Sequence, residues 1–449
     1  MNLPPLWGMD FAGWLDSNME AGNLLTSNLS LFPAPRVIPV NVYQDESRAP
    51  AWEQAMFVAW FFALYLPLLA FTPIRYGCIC VMLGLFFVYR HETIPLLQKS
   101  WPLLPYPILS LFSIFWTDYP VDGLRSVMLG ILTPISLITV AARLRPSEFL
   151  RVMMLAGALA SLYCIPYFGT LSEGGPLPQK NLLAYQFMIV TLIALATALN
   201  HQEQTIFRLI ALAVAPLAFY IQLSADSATS LVFAVLGSVI LIGIKVFWVA
   251  VGNVAHLRSA LLALIISGLL AIAFVLLSMP EITFVRDFLE LVGKDPTLTG
   301  RTGIWNAAEM VSAQHPWFGV GVEGFWQPNT GLAQTLNELN HTAPGSKISF
   351  HSAFWEVRVH FGFVGLGFFI LSMVWAGWRT LGLWLRDGSV INSALLIFYC
   401  IIATSCFTES YPAGSFSTIV AVFYFGALAA FDVGARKLIG QGRLVENPA

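Results

Sequence analysis

Two residues of this chain stand where their types and neighbours suit chemistry, Arg301 and His351. Arg301 lies in Leu298-Thr-Gly-Arg-Thr-Gly-Ile-Trp305, at the expected start of a helix that Thr299 or Thr302 can cap. A helix N-terminus carries unpaired N–H groups that favour an anion, and a guanidinium beside it adds a planar fork of donors matched to phosphate. The alternative for Arg301 is an ion pair in a solvated loop. His351 opens Phe350-His-Ser-Ala-Phe-Trp-Glu-Val-Arg-Val-His-Phe-Gly-Phe-Val-Gly365. If this segment is helical from about Ser352, Trp355 and Arg358 follow His351 on one face. An imidazole there can take a proton near neutral pH, or it can simply cap the loop. His341 and His360 read as structural more readily than as chemical, and His315, before a proline, as a turn residue. In His315-Pro-Trp-Phe-Gly-Val-Gly321 the two glycines allow a tight backbone path.

Four further polar groups sit at the ends of apolar runs. They are Trp116-Thr-Asp-Tyr-Pro120 with Arg125, Pro178-Gln-Lys-Asn181, Ser224-Ala-Asp-Ser227 and Thr408-Glu-Ser-Tyr-Pro412. Either their charges snorkel to a membrane surface, or the groups converge and build a polar cavity on the side that carries Arg301 and His351.

The elements that must position these residues are membrane spans. The chain is 57% hydrophobic and 11% charged, with a mean hydropathy of +0.72, whereas soluble domains are about 25% charged. So few charges cannot cover a water-facing surface, and no basic cluster suggests nucleic acid. Apolar runs long enough to cross a bilayer, or nearly so, occur near 54–72, 76–90, 101–116, 124–142, 149–167, 182–199, 206–223, 228–248, 259–278, 362–384, 390–407 and 416–433. The sequence therefore predicts an all-α polytopic membrane protein of about twelve transmembrane helices. Pro67, Pro105, Pro107, Pro134, Pro166 and Pro216 should kink several of them. The five cysteines lie in or beside apolar runs and imply no disulfide framework.

Basic residues in the short connections set the orientation. With the N-terminus inside, Arg143, Arg145, Arg151, Arg258, Arg436 and Lys437 are all cytoplasmic, as are most of the 23 Lys and Arg. The expected division is a polar cytoplasmic leader (1–53), nine spans (54–278), a large outer loop with short amphipathic helices (279–361), three spans (362–433) and a cytoplasmic tail (434–449). The leader, with a short amphipathic piece around Leu6–Leu15, lacks the apolar core and small-residue site of a cleavable signal. The outer loop is too long for a plain connector.

Gly300-Arg301-x3-Trp305, then His315–Gly321, then Phe350-His-Ser with Gly362-x2-Gly365, resembles the core of the O-antigen ligase and Wzy-type polysaccharide polymerase superfamily. Phe115–Arg125 and Gln179-Lys-Asn-Leu-Leu183 are similar to the first outer loops of that family, and the nearest likeness is to its ExoQ-type exopolysaccharide polymerases. The resemblance implies a GT-C-like fold and glycosyl transfer on the periplasmic face of the bacterial inner membrane. The donor it implies is a glycan on undecaprenyl pyrophosphate, the acceptor a second glycan, and neither metal nor other cofactor is used. A chain-length regulator and a flippase are the implied partners. Carried over position by position, Arg301 binds pyrophosphate, with Trp305 in its motif, and His351 assists the acceptor. Relatives carry a basic residue where this chain has Ser224-Ala-Asp-Ser227, which leaves Lys180, Arg125 or Arg358 for a second phosphate contact. A polymerase is the leading expectation, and a ligase acting on lipid A core or protein the alternative. A transporter also fits twelve spans, but the halves show no repeat and the polar groups cluster at one surface, not the midplane.

Overall fold

The computed structural model describes residues 49–251, 301–343 and 345–431. Among these residues the only regular elements are helices, and every predicted apolar run that falls within them carries one. The leader to residue 48, the run at 259–278, the loop segment 279–300 with Thr299, and the tail after 431 lie outside the described residues. Among the described residues, seven helices are long and apolar enough to cross a membrane, and Trp101–Phe115, Val390–Ser405 and Thr418–Ala429 are shorter apolar segments. The chain is a multi-pass membrane protein.

The first half comprises α1 (Ala51–Tyr65), α2 (Thr72–Val88), α3 (Arg90–Lys99), α4 (Pro105–Phe112), α5 (Pro120–Arg143), α6 (Pro146–Cys164), α7 (Lys180–Leu199), α8 (Thr205–Ser224) and α9 (Ala228–Val251). Helix α7 is the axle of this half. It packs against α6, α8 and α9, and Leu183 through Ala194 are all buried. Helices α8 and α9 instead expose Leu209, Leu212, Val232, Val235, Leu236 and Val239, an apolar outer surface suited to lipid and not to water.

Proline explains where the helices depart from the predicted runs. The run 54–72 is not one span: α1 stops at Tyr65, and Leu66 leaves the helical region (φ −119°, ψ 81°) because Pro67 disfavours helical geometry at the residue before it. The apolar stretch then restarts as a short 3-10 turn, Leu69–Phe71, that feeds α2. Pro166 lies in a 3-10 segment, Ile165–Glu173, that ends α6. Pro134 and Pro216 remain inside α5 and α8, and Pro105 takes the first turn of α4, where its missing N–H costs nothing.

The second half comprises α10 (Arg301–Gln314), α11 (Gly331–Leu339), α12 (Ala353–Arg386), α13 (Val390–Ser405) and α14 (Thr418–Ala429). Helices α10 and α11 share a small core of their own, with Ile304, Ala308, Phe325, Trp326, Leu336, Phe350 and Val359. Helix α12 is two helices joined at Gly362, whose φ of 61° and ψ of −160° break the helical path. The His315–Gly321 motif is clamped there by four backbone hydrogen bonds. Val320 and Gly321 donate to the carbonyls of Val359 and His360, while Phe363 and Val364 donate to those of Pro316 and Trp317. The approach is so close that a Cβ on Gly362 would lie 2.3 Å from the Trp317 carbonyl carbon, and one on Gly319 would lie 2.4 Å from that of His360.

Candidate functional site

The loop half delivers Arg301 and His351 to one carboxylate. Arg301 is the first residue of α10, and its Nη1 donates to the Thr408 carbonyl at 2.8 Å while Nη2 lies 3.5 Å from Glu409 Oε1. On the other side, Nδ1 of His351 is 4.0 Å from Glu409 Oε2. Glu409 is only 6% exposed, and it lies in the turn after α13. The same turn caps α12, because the Ala353 N–H donates to the carbonyls of Cys406 and Glu409. His351 has φ 50°, a left-handed conformation that a non-glycine side chain adopts at some cost in energy. Its Nδ1 is buried without a hydrogen-bond partner.

Two side chains, Trp305 and Glu356, fix the chain around His351. The Trp305 indole N–H donates to the Phe350 carbonyl at 2.8 Å, and Glu356 accepts the Phe350 N–H at 3.0 Å and the Ser410 hydroxyl at 3.4 Å. Trp305 thus orients the residue before His351, a role its motif alone does not reveal.

Beside this cluster lies a cavity of about 650 Å³. Its lining combines apolar side chains, among them Leu129, Leu137, Phe369, Ile419 and Val420, with polar ones, among them Ser126, Gln179, Glu323, Lys347, Glu356 and His360. Neither Arg301 nor His351 lines it, but Ser349 and Ser410 do; Ser349 accepts the His351 N–H through its hydroxyl, and Ser410 follows Glu409 in the chain. His360, read from sequence as structural, lines the cavity, with its Nδ1 donating to the Glu356 carbonyl at 2.9 Å.

Glu323 was not singled out by sequence reasoning, nor was Lys347. The loop carrying Glu323 is pinned to the first half where Thr117 donates to the Val322 carbonyl and the Val322 N–H donates to Ser113. The Glu323 carboxylate accepts from Ser126 at 2.6 Å and from Lys347 at 2.7 Å. Burial acts to raise its pKa, but these two hydrogen bonds and the charges of Lys347 and His360 outweigh it and hold the carboxyl below its usual range.

The candidates for a second cationic contact engage partners other than Glu409. Arg125 donates to the Tyr76 hydroxyl at 3.1 Å, Lys180 pairs with Asp226 at 3.3 Å in an exposed position, and Arg358 stacks on Trp355 and Phe363. None of the three lines the cavity, although Ser126 and Gln179, neighbours of Arg125 and Lys180, do. Among the described residues, no group of three or more His, Cys, Asp or Glu is arranged to hold a metal ion.

Residues 212–370 match the family model described as O-antigen ligase. The chain is also 28% identical over 286 residues to the exopolysaccharide production protein ExoQ of Rhizobium meliloti (strain 1021), across 61% of this chain and 62% of that protein. The family match contains Arg301, Trp305, His351 and the whole clamp around Gly362, and it ends before Glu409. The motif order, the helical membrane fold and both similarities agree: over part of its length the chain is similar to the O-antigen ligase and Wzy-type polysaccharide polymerase superfamily and to ExoQ.

Proposed function

We propose that this protein is an inverting, metal-independent glycosyltransferase of the bacterial inner membrane. It polymerises oligosaccharide repeat units carried on undecaprenyl pyrophosphate, on the periplasmic face. The observation that carries the reading is the meeting of Arg301 and His351 around Glu409, beside a cavity lined by both polar and apolar side chains. Such a cavity suits an amphiphile, and the resemblance to ExoQ supports polysaccharide production as the context.

In the proposed step the acceptor hydroxyl oxygen attacks the anomeric carbon of the donor sugar as the bond from that carbon to the pyrophosphate oxygen breaks. His351 takes the hydroxyl proton, and direct displacement inverts the anomeric centre. The resulting imidazolium faces Glu409, which stabilises it. The departing pyrophosphate needs cationic donors and no acid. Arg301 supplies them: its 3.5 Å contact to Glu409 is long for a hydrogen bond, so Nη2 can turn to phosphate while Nη1 stays anchored on Thr408.

The test uses the purified full-length protein in detergent with a polyprenyl-pyrophosphate-linked oligosaccharide. A ladder of lengthened lipid-linked glycans, with released polyprenyl pyrophosphate, is expected. Transfer to added lipid A core without a ladder would make the protein a ligase, and a donor left unchanged under all acceptor conditions would overturn the reading.

A further inference from the structure

We propose that a recess among Trp378, Arg379, Arg386 and Ala430, at the end of α12 far from His351, holds the phosphate of an anionic phospholipid whose acyl chain lies along α12. Such a lipid would sit there whether or not the glycosyl-transfer reading holds.

Three elements bring cations together there. Lys99 ends α3, Arg379 and Arg386 lie on α12, and Phe431 follows α14. Cζ of Arg379 is 3.7 Å from the Phe431 ring centroid and Nζ of Lys99 is 6.0 Å from it. Among the described residues none of the three cations has an ion pair or a hydrogen bond. The adjacent Asp387 does not neutralise them, because its carboxylate accepts from the Ser389 N–H and the Asn392 amide. Lys99 and Arg386 end their helices, where the helix dipole favours a cation in any case. Arg379 has no such reason: it stands about two turns earlier, with its Nε buried and without an acceptor. Together with Arg386 it lines a recess of about 40 Å³, room for one phosphate oxygen or a water.

The surroundings select a lipid. From Phe363 to Arg386, α12 is roughly 36 Å long at about 1.5 Å per residue, enough to cross a hydrocarbon core of about 30 Å, so its last turns reach the membrane surface. Ile370, Leu371, Val374, Trp378 and Leu385 are exposed, and the helical repeat places them on one face, with Arg379, Gly382 and Arg386 along its edge. An acyl chain fits that face while the headgroup meets the cations. Trp378 and Trp101, both exposed, stand at this level as indoles do at a membrane surface. Basic pockets between helices at this level bind anionic headgroups. The sequence after Phe431 is a poor occupant, since it carries Arg436, Lys437 and Arg443 against Asp432 and Glu446.

The experiment titrates the full-length protein in detergent with phosphatidylglycerol and, separately, with phosphatidylcholine, and reads the first bound lipid by native mass spectrometry. Phosphatidylglycerol should bind the more tightly. Arg379→Gln and Arg386→Gln should each weaken it about fivefold, the attraction of one cation for an anionic headgroup, and leave phosphatidylcholine nearly unaffected. Arg90→Gln, exposed at the other end of α3, should bind as the parent does. Equal affinity of the parent for the two lipids, parent-like phosphatidylglycerol binding in Arg386→Gln, or an equal loss in Arg90→Gln overturns the site. So does full competition by glycerol 1-phosphate, which would make the ligand a soluble phosphate. If Arg379→Gln melts early, Arg386→Gln, at an exposed position, decides.

Discussion

Glu409 is the residue through which two separately positioned groups share one environment. It faces the guanidinium of Arg301 at 3.5 Å and the imidazole of His351 at 4.0 Å from the turn after α13, so its charge acts on both. Glu409→Gln keeps the shape and removes the charge. Losing one charge-assisted contact of about 1.5–3 kcal/mol should lower turnover roughly ten- to hundred-fold, and donor-consumption rates at parent level would contradict the role. Arg301 and His351 were legible because each sits in a motif with a local reason to be polar. Glu409 was visible only as one of several polar residues at a span end, since its importance comes from a fold that joins α10, α12 and α13. Lys347 and Glu323 were hidden for the same reason. The depressed Glu323 carboxyl makes its own pH prediction. Its folded pKa is below its unfolded one, so the pairing stabilises fully above the unfolded value, about 4.3 for Glu, and is lost as pH falls through the folded value. Lys347→Met removes the main partner, so its melting-temperature deficit should be largest at neutral pH and shrink towards acid. A deficit constant from neutral to strongly acid pH would rule this out.

Helix α12 owes its bend to Gly362 and to the His315–Gly321 backbone lying against it. Gly362→Ala combines a positive φ with a Cβ placed 2.3 Å from the Trp317 carbonyl carbon. The backbone penalty alone is about 1–3 kcal/mol, and a clash with main chain has no flexible side chain to relieve it. Folded yield and melting temperature should both drop sharply. Gly367, in the same helix, has open space where its Cβ would go, and Gly367→Ala should be neutral or slightly stabilising. Equal behaviour of the two variants would mean the clamp is not what bends the helix. The glycine spacing was readable as a tight backbone path leading into a span. What the glycines approach was not, because the partner is a backbone segment more than forty positions away by the numbering of Trp317 and Gly362. Pro67 shows the opposite case: its effect on Leu66 is purely local, yet a continuous apolar run concealed the break.

At the scale of the whole molecule, hydropathy made the helical membrane fold legible, since lipid tolerates little else for a chain this apolar. Of the four span-end polar groups expected to converge on a polar cavity, 178–181 and 408–412 supply lining residues while 116–120 with Arg125 and 224–227 do not, because the walls depend on long-range packing, such as the 322–323 segment meeting Ser113, Thr117 and Ser126. The basic bias of the short connections predicts the orientation: alkaline phosphatase fused at Gly321 should be active and at Arg145 inactive, and the reverse pattern would place the site on the wrong side of the membrane for the proposed donor. The most direct test compares donor binding and turnover in the purified protein. His351→Ala should bind the lipid-linked donor nearly as the parent does while its transfer rate falls about 10²–10⁴-fold, whereas Arg301→Ala should weaken both. Near-parent transfer by His351→Ala, or full polymer yield from Arg301→Ala at normal protein level, would contradict the account.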